Sequence, residues 1–360
     1  MNFTFDTITP VRELVIVIAD LYLPRELRSP SRDDAFTEIP GLECVARFAA
    51  RARLPRGWRS WLLGTIGRAD LEEVAPACIA AAALGTGSDV TAAAERTAQA
   101  ATRWIATAVH VRAGLTRAHL DPRGLLRLAP AEQAALAADF AGNFGSSLYT
   151  LMPLPAGEFL LGTPGLVPFS TEEPARHAGA ALEQLMPAGR GAAPLRRLLA
   201  EIEMWLHTQP LNEARRSRGE PPVTALWPWG AMGRIVQPEP RASSALPAAF
   251  GRDAWLEGLW RLESGVCRAA PQSLDEVLAA GASAAVLVLE VGGQLRDERD
   301  TVAAALSRLD ARFISPALQA LRRGTLGGLT VVLNDARARV VRGSLRRFWR
   351  RPRGGLAGFA

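Results

Sequence analysis

The run Leu14-Val15-Ile16-Val17-Ile18 constrains the fold more than any other stretch of the chain. A strand with one wet face alternates apolar and polar residues, whereas five apolar positions in succession, four of them β-branched, call for burial on both faces. A sheet with helices packed above and below supplies that burial, so the run predicts an α/β core with helices on both faces of a sheet. Asp20 marks the end of the strand. Its helical partner is expected over Glu43 to Arg53. An Ala-rich helix is expected over Asp70 to Leu84, broken by Gly85 and Gly87, and Asp89 can cap a further helix through Ala101. The same texture returns late in the chain. A helix is expected over Trp255 to Leu262, a strand over Ala285 to Leu289 and a helix over Thr301 to Leu309, followed by a hairpin of Leu329 to Leu333 with Arg337 to Val341 around Asn334-Asp335.

Between these parts the pattern changes. Ala108 to Val111 reads as a strand, Asp121-Pro122-Arg123-Gly124 as a turn, and Leu125 to Leu128 as a short strand. Pro130 and Glu132 suit the first turn of a helix carrying Leu136 and Phe140, and strands are expected over Leu148 to Leu151 and Glu158 to Leu161. Leu195, Leu198, Leu199, Ile202 and Leu206 keep helical spacing until Pro210. Pro238 to Pro247 reads as a linker back to the first texture. The middle is therefore a small α+β module set within an α/β frame.

With 360 residues, 48% of them hydrophobic, the chain can bury a large core in about two domains. All 42 basic residues are arginine, a bias expected of a GC-rich genome. Eight of them lie between Arg337 and Arg353 with no acidic residue among them, which leaves 34 basic against 36 acidic groups elsewhere. The body is nearly neutral and the basicity reads as a tail. Cys44, Cys78 and Cys267 are odd in number and have no CxxC spacing, which suggests neither a disulfide framework nor a zinc knuckle. A reducing, cytoplasmic setting is expected. The first apolar run follows Asp6 and Glu13 and reads as a strand rather than a secretory signal, and no run reaches the ~18 apolar residues of a membrane span.

Two stretches, in order, resemble the inserted domain of the archaeal-type cofactor-independent phosphoglycerate mutases. The first is AVHVRAGLTRAHLDPRGLLRLAPAEQAALAADFAGNFGSSLYTLMPLPAGEFLL, whose strand, acidic turn, helix and returning strands match that family in type and order. The second, more distinctive, is HTQPLNEARRSRGEPPVTALWPWG, in which Pro210, Asn212, Arg215, Gly219, Trp229 and Gly230 stand where the mutases carry a comparable signature. Over its whole length, including Phe348-Trp349-Arg350-Arg351, the chain is similar to proteobacterial proteins of the RpfE type. Within the signature it departs from the mutases: Gln209 replaces a His, Thr224 an Asn, and Ala231-Met232 two glycines.

The resemblance implies an alkaline-phosphatase-like core over residues 1–103 and 234–360, with residues 104–233 inserted as the mutase-like α+β domain and 337–360 as the hairpin end and Arg-rich tail. Active mutases of that family hold two divalent metals, Mn, Zn or Mg, with Asp and His ligands around a serine nucleophile. This chain has four histidines, His110, His119, His177 and His207; none forms an Asp-His pair and none follows His207. Asp20 is the weak candidate for a metal ligand, and Asp also ends strands for turn reasons. A non-catalytic relative without a cofactor is therefore expected, with a working phosphomutase as the alternative. Neither Gly85-Thr86-Gly87 nor Gly145-Ser146-Ser147-Leu148 completes a dinucleotide loop or a nucleophile elbow.

The expected ligand is a small phosphorylated or carboxylated metabolite held by Asn212, Arg215 and Arg218 on one helix and by the Trp227-Pro228-Trp229-Gly230 turn. The competing reading pairs these arginines with Glu201 or Glu203 and leaves the tryptophans to packing. Arg346, Arg347, Trp349, Arg350 and Arg351 form a minority nucleic-acid candidate, against a solvated terminus.

Overall fold

The computed structural model describes residues 11–22, 39–85, 102–114, 117–182, 186–187, 191–235, 239–241, 246–292, 302–333 and 335–346, the side chains of 113 and 122–124 excepted. Gly87, the expected helix from Asp89 to Ala101, Asn334, Arg347, Trp349, Arg350 and Arg351 lie outside the described residues.

Two sheets organise the described chain. The larger has seven strands: β1 (Glu13–Ile18), β2 (Ala50–Arg53), β8 (Ala248–Phe250), β9 (Cys267–Arg268), β10 (Ala284–Leu289), β11 (Gly328–Leu333) and β12 (Ala336–Val341), in spatial order β2-β12-β11-β1-β10-β8-β9. β1 is central and pairs in parallel with β10 and β11. Its apolar run is explained residue by residue: Leu14, Ile16 and Ile18 face one core cluster, while Val17 faces another. β10 alternates in the same way, Leu287 and Leu289 to one side and Val286 and Val288 to the other. Burial of each such side chain contributes ~1.5–3 kcal/mol, which makes a polar residue costly anywhere on the strand.

On the first face lie α1 (Pro40–Phe48), α8 (Leu274–Leu278), α9 (Val302–Leu309) and α10 (Ser315–Arg323). α9 and α10 are joined by a π-helical turn, Asp310–Ile314, that the sequence reading missed. The turn places the buried Asp310 under the start of α1, where its carboxylate accepts from the Gly41 and Leu42 amides at 2.9 and 2.7 Å. On the second face lie α2 (Gly57–Thr65), α3 (Pro76–Ala81) and α7 (Ala254–Leu262). Gly258 of α7 meets α3 closely, since a Cβ there would stand 2.0 Å from the Ile79 carbonyl oxygen.

The smaller sheet draws all its strands from residues 102–229: β3 (Thr102–Ala113), β4 (Ala118–Leu125), β5 (Thr150–Pro153), β6 (Phe159–Thr163) and β7 (Ala225–Trp229). The long β3 pairs antiparallel with β6 along its first half, with β4 along its second half, and with β7 across Ile105 to Val109. Trp104, Ala106 and Ala108 face a cluster with α4 (Pro130–Phe144) and α5 (Ala193–His207), in which Phe140 and Phe144 stack and Trp205 meets both edge-on. The alternate residues Ile105 and Val109 pack into the second core cluster of the larger sheet, so the two sheets share one seam.

Several expected boundaries change. The helix expected over Glu43 to Arg53 is α1 followed by edge strand β2, because Ala49 turns extended and Ala50 to Arg53 pair with β12. The expected Asp70 to Leu84 helix is broken by Val74-Ala75 before Pro76 starts α3. The expected turn at Asp121 to Gly124 is a bulge inside β4: Val109 faces Leu125 while Val111 already faces Leu120. Tertiary pairing on both sides of the Pro-Gly segment carries the strand through it, whereas Leu126 to Leu128 lie beyond the strand. Arg337 and Arg339, counted with the tail, are strand residues of β12; Arg339 pairs with Glu13 at 2.8 Å and Arg337 sits over the Trp61 ring. No helix among the described residues is long and apolar enough to cross a membrane.

Candidate functional site

Open α/β sheets bind ligands beyond the carboxyl ends of their parallel strands. Here those ends are acidic. Asp20 follows β1, Glu290 follows β10, Asp253 follows β8, and Asp335 closes the β11-β12 hairpin with φ of 55°. Each carboxylate already has partners. Asp20 accepts from the Val291 and Gly292 amides at 2.6 and 2.8 Å. Glu290 pairs with Arg127 at 2.8 Å, and Asp253 pairs with Arg59 at 3.1 Å while capping α7 through the Leu256 amide at 2.8 Å. Asp335 pairs with Arg176, one contact measuring 2.9 Å.

Arg127 and Arg176 come from the chain between the two parts of the larger sheet, so two of these pairs cross the seam. Arg59, on α2, also makes a two-pronged contact with Glu173 at 2.9 and 3.1 Å. Its guanidinium lies over the rings of Trp58 and Trp229 at 4.6 and 4.9 Å.

A buried relay connects the smaller sheet to this charge. The Trp229 Nε1 donates to Thr107 Oγ1 at 2.9 Å, and Thr107 Oγ1 donates to Glu158 Oε1 at 2.8 Å. Glu158 stands 3.7 Å from Arg127. Burial pushes the Glu158 carboxyl up to about 7 although Arg127 pulls it down. Burial likewise raises Glu290 to about 8, with Arg127 opposing and Asp20 and Glu158 reinforcing, and it raises Asp20. For Arg127 burial acts against the charge, but Glu290, Glu158 and Asp20 outweigh it, so the guanidinium stays protonated.

Beside this cluster a cleft of about 380 Å³ opens between the sheets. Trp58, Arg59, Glu72, Pro76, Thr171, Glu173, Arg176, Trp229 and Gly230 are among its lining residues. Among the described residues, three buried polar atoms on that lining, Trp58 Nε1, Arg59 Nε and Thr171 Oγ1, meet no hydrogen-bond partner, and neither do Nε and Nη1 of Arg127.

The six residues expected to hold an anion divide. Trp229 and Gly230 line the cleft. Gly230 has φ of +75° and its carbonyl accepts from Ala77 at 2.9 Å, which docks the end of β7 on α3. Trp227 lines a separate apolar pocket with Leu182, Met186 and Leu199, and its Nε1 donates to the Glu172 carbonyl at 2.9 Å. Asn212, Arg215 and Arg218 belong to α6 (Pro210–Ser217) and its C-cap and are among the lining residues of neither space.

Asn212 is 2% exposed and donates to the carbonyls of Leu206 and Val223 at 2.8 Å each, while its Oδ1 accepts from the Val223 amide at 2.7 Å. Arg215 donates to the Pro221 carbonyl at 2.8 Å and pairs with Glu132 at 3.0 Å; Arg218 pairs with Glu132 at 2.7 Å and Glu220 at 2.9 Å. The partners are therefore Glu132 and Glu220, not Glu201 or Glu203, and Glu201 pairs with Arg197 instead. Gly219, with φ of +72°, ends the helix as expected.

Among the described residues, the donor set at the strand ends offers no group that would hold a pair of divalent metals. Both oxygens of Asp20 are taken by amides, and Arg127 occupies the space among Asp20, Glu158 and Glu290. Among the described residues no three His, Cys, Asp or Glu side chains form a group able to hold a metal ion. His110 Nδ1 lies 2.9 Å from the Pro222 carbonyl, and His177 is paired with Glu172 at 3.1 Å. Sequence reasoning missed Arg59, Arg127, Glu158 and Glu290. For Glu290 the signal was present, because it ends an apolar strand as Asp20 does.

No protein-family model matches the chain, and no curated protein matches its sequence. Among solved structures, the cofactor-independent phosphoglycerate mutase of Thermoplasma acidophilum DSM 1728 is similar over 97% of this chain and 94% of its own, at 13% identity and a TM-score of 0.39. The PH0037 protein of Pyrococcus horikoshii is similar over 89% of this chain and 81% of its own, at 13% identity and a TM-score of 0.40.

Proposed function

We propose that the chain is a non-catalytic, phosphoglycerate-mutase-like protein that binds a small phosphorylated or carboxylated metabolite in the cleft between its two sheets. The family part of this reading rests on the sequence signature from Pro210 to Gly230. The observation that carries the non-catalytic part is Arg127, whose guanidinium stands among Asp20, Glu158 and Glu290 and supplies there the positive charge that a metal-dependent phosphoryl transferase takes from its ions. A fixed guanidinium offers neither an open coordination position nor an activated oxygen nucleophile. Binding in the cleft is supported by Arg59 and Arg176, whose guanidinium forks are among its lining and suit acceptor oxygens.

Elemental analysis of the purified protein is the test. Less than a tenth of a divalent metal per chain is expected, together with no interconversion of 2- and 3-phosphoglycerate when manganese is added. Two metals per chain, or turnover abolished by Asp20→Ala, overturns the non-catalytic reading in favour of a working phosphomutase. For the ligand, calorimetry with 3-phosphoglycerate and with inorganic phosphate is expected to show binding that Arg176→Ala weakens. No heat with either at millimolar concentration overturns the metabolite site.

A further inference from the structure

The charges that line the cleft are of both signs. Glu72, Glu73 and Glu173 line it beside Arg56, Arg59 and Arg176. Each of these arginines already holds a carboxylate. Arg56 pairs with Glu72 at 2.7 Å, Arg59 with Glu173 at 2.9 Å and with Asp253 at 3.1 Å, and Arg176 with Asp335 at 2.9 Å. Among the described residues, then, three guanidiniums of the lining stand with five carboxylates, three on the lining and two behind it. An anion without a positive group must take an arginine from its partner and then lie beside the acid it displaced, which repels it.

Arg59 and Arg176 form one pole. The charge of Glu173 is felt by both guanidiniums, and a Cβ on Gly57, at the start of α2, would stand 3.2 Å from Arg176 Nη2. Glu72 and Glu73 form the other pole. They stand between a 3₁₀ turn, Ala69–Leu71, and α3. The Arg234 amide donates to the Glu73 carbonyl at 2.6 Å and the Ala75 amide to the Arg234 carbonyl at 3.1 Å, which pins this segment to the chain after β7. Both acids are exposed to an incoming ligand, and Arg234 is not among the lining residues. Hydrogen bonds from Ser60 and then Arg56 hold the Glu72 carboxyl below the usual carboxylate range, so it is charged at neutral pH. The poles adjoin, because Ser60, whose hydroxyl bonds Glu72, follows Arg59 directly on α2.

We propose that the ligand of this cleft is a zwitterion, a small amino acid or amine derivative whose phosphate or carboxylate lies on Arg59 and Arg176 and whose ammonium group lies on Glu72 and Glu73, a reading that rests on the cleft being a metabolite site. Such a ligand gives the carboxylates a new partner as it draws on the arginines. Ion pairs are then exchanged within the cleft, and none is lost outright. Adjoining poles let one small molecule reach both.

An anion that carries hydroxyls in place of the ammonium is the weaker fit. A hydroxyl donates one hydrogen bond and leaves the carboxylate charge in place, whereas an ammonium donates up to three charge-assisted bonds and cancels it. The aromatic wall favours the same choice. Trp58, Trp229 and Trp255 also line the cleft, and a ring face attracts a cation, as those of Trp58 and Trp229 already hold the Arg59 guanidinium at 4.6 and 4.9 Å.

Titration calorimetry of the full chain in EDTA, with D-3-phosphoglycerate and with each enantiomer of O-phosphoserine, tests this. O-phosphoserine puts an ammonium where phosphoglycerate has its hydroxyl. One enantiomer is expected to bind at least ~10-fold tighter than 3-phosphoglycerate, the effect of one charge-assisted bond. Glu73→Gln should cut that preference at least ~3-fold and Glu72→Gln/Glu73→Gln should abolish it, with 3-phosphoglycerate bound as well as or better than by the parent. Both variants change exposed side chains and should melt within about 2 °C of the parent. Equal or weaker binding of both O-phosphoserine enantiomers overturns the zwitterion and leaves the metabolite site standing. So does a preference that survives in the folded double variant. No heat from any of these ligands at millimolar concentration overturns the metabolite site, and the zwitterion with it.

Discussion

Asn212 offers the sharpest test of how the signature segment works. Its amide group makes three hydrogen bonds, all to backbone, and with 2% exposure no water can replace them. Asn212→Ala strands the Val223 amide and carbonyl, which tie the chain leaving α6 to the chain entering β7, and takes one of two donors from the Leu206 carbonyl at the end of α5, which keeps the Gln209 amide at 3.1 Å. A buried polar group left without a partner costs about 1–3 kcal/mol, so two such groups predict a loss of about 2–6 kcal/mol. Asn212→Asp should fall only slightly short of that, because a carboxylate accepts from the Val223 amide but faces two carbonyls to which it cannot donate. The assay is urea unfolding followed by tryptophan fluorescence and circular dichroism, with the midpoint shift read at constant slope. A variant within about 1 kcal/mol of the parent that has lost metabolite binding would refute the structural assignment and return Asn212 to the ligand.

The Glu158 carboxyl, raised by burial from 4.5 to about 7, binds its proton more tightly in the folded chain than in the unfolded one. Its contribution to stability is complete below about pH 4.5 and is lost as the pH rises through about 7, at roughly 1.4 kcal/mol per pH unit. Glu158→Gln should remove that slope between pH 5 and 7; parallel pH-stability curves for parent and variant would exclude Glu158 as the titrating group. Gly258→Ala places a methyl 2.0 Å from the Ile79 carbonyl oxygen and must push α3 and α7 apart, so a loss of at least ~2 kcal/mol is expected in the same urea assay. A neutral result would show that these helices yield at no cost.

How much was legible from residues alone depends on the range of the interactions involved. The apolar run of β1, the spacing of Leu195, Leu198, Ile202 and Leu206 on α5, and the stop at Gly219 are properties of near neighbours in sequence, and their elements stand close to where periodicity puts them. The mixed α/β character with two sheets was legible for the same reason, since two-sided and one-sided burial leave different patterns. What the sequence by itself determined was therefore which faces are apolar and where elements start and stop. Only the tertiary structure decided what the charges do. Glu132, more than eighty residues away, is brought between Arg215 and Arg218, and the oxygens of Asp20 meet the amides of Val291 and Gly292. The arginines of β2 and β12 likewise form one edge only because their strands pair. Coulomb and hydrogen-bond partners are chosen by distance in space, which a local pattern does not encode, whereas burial leaves its period in every helix and strand.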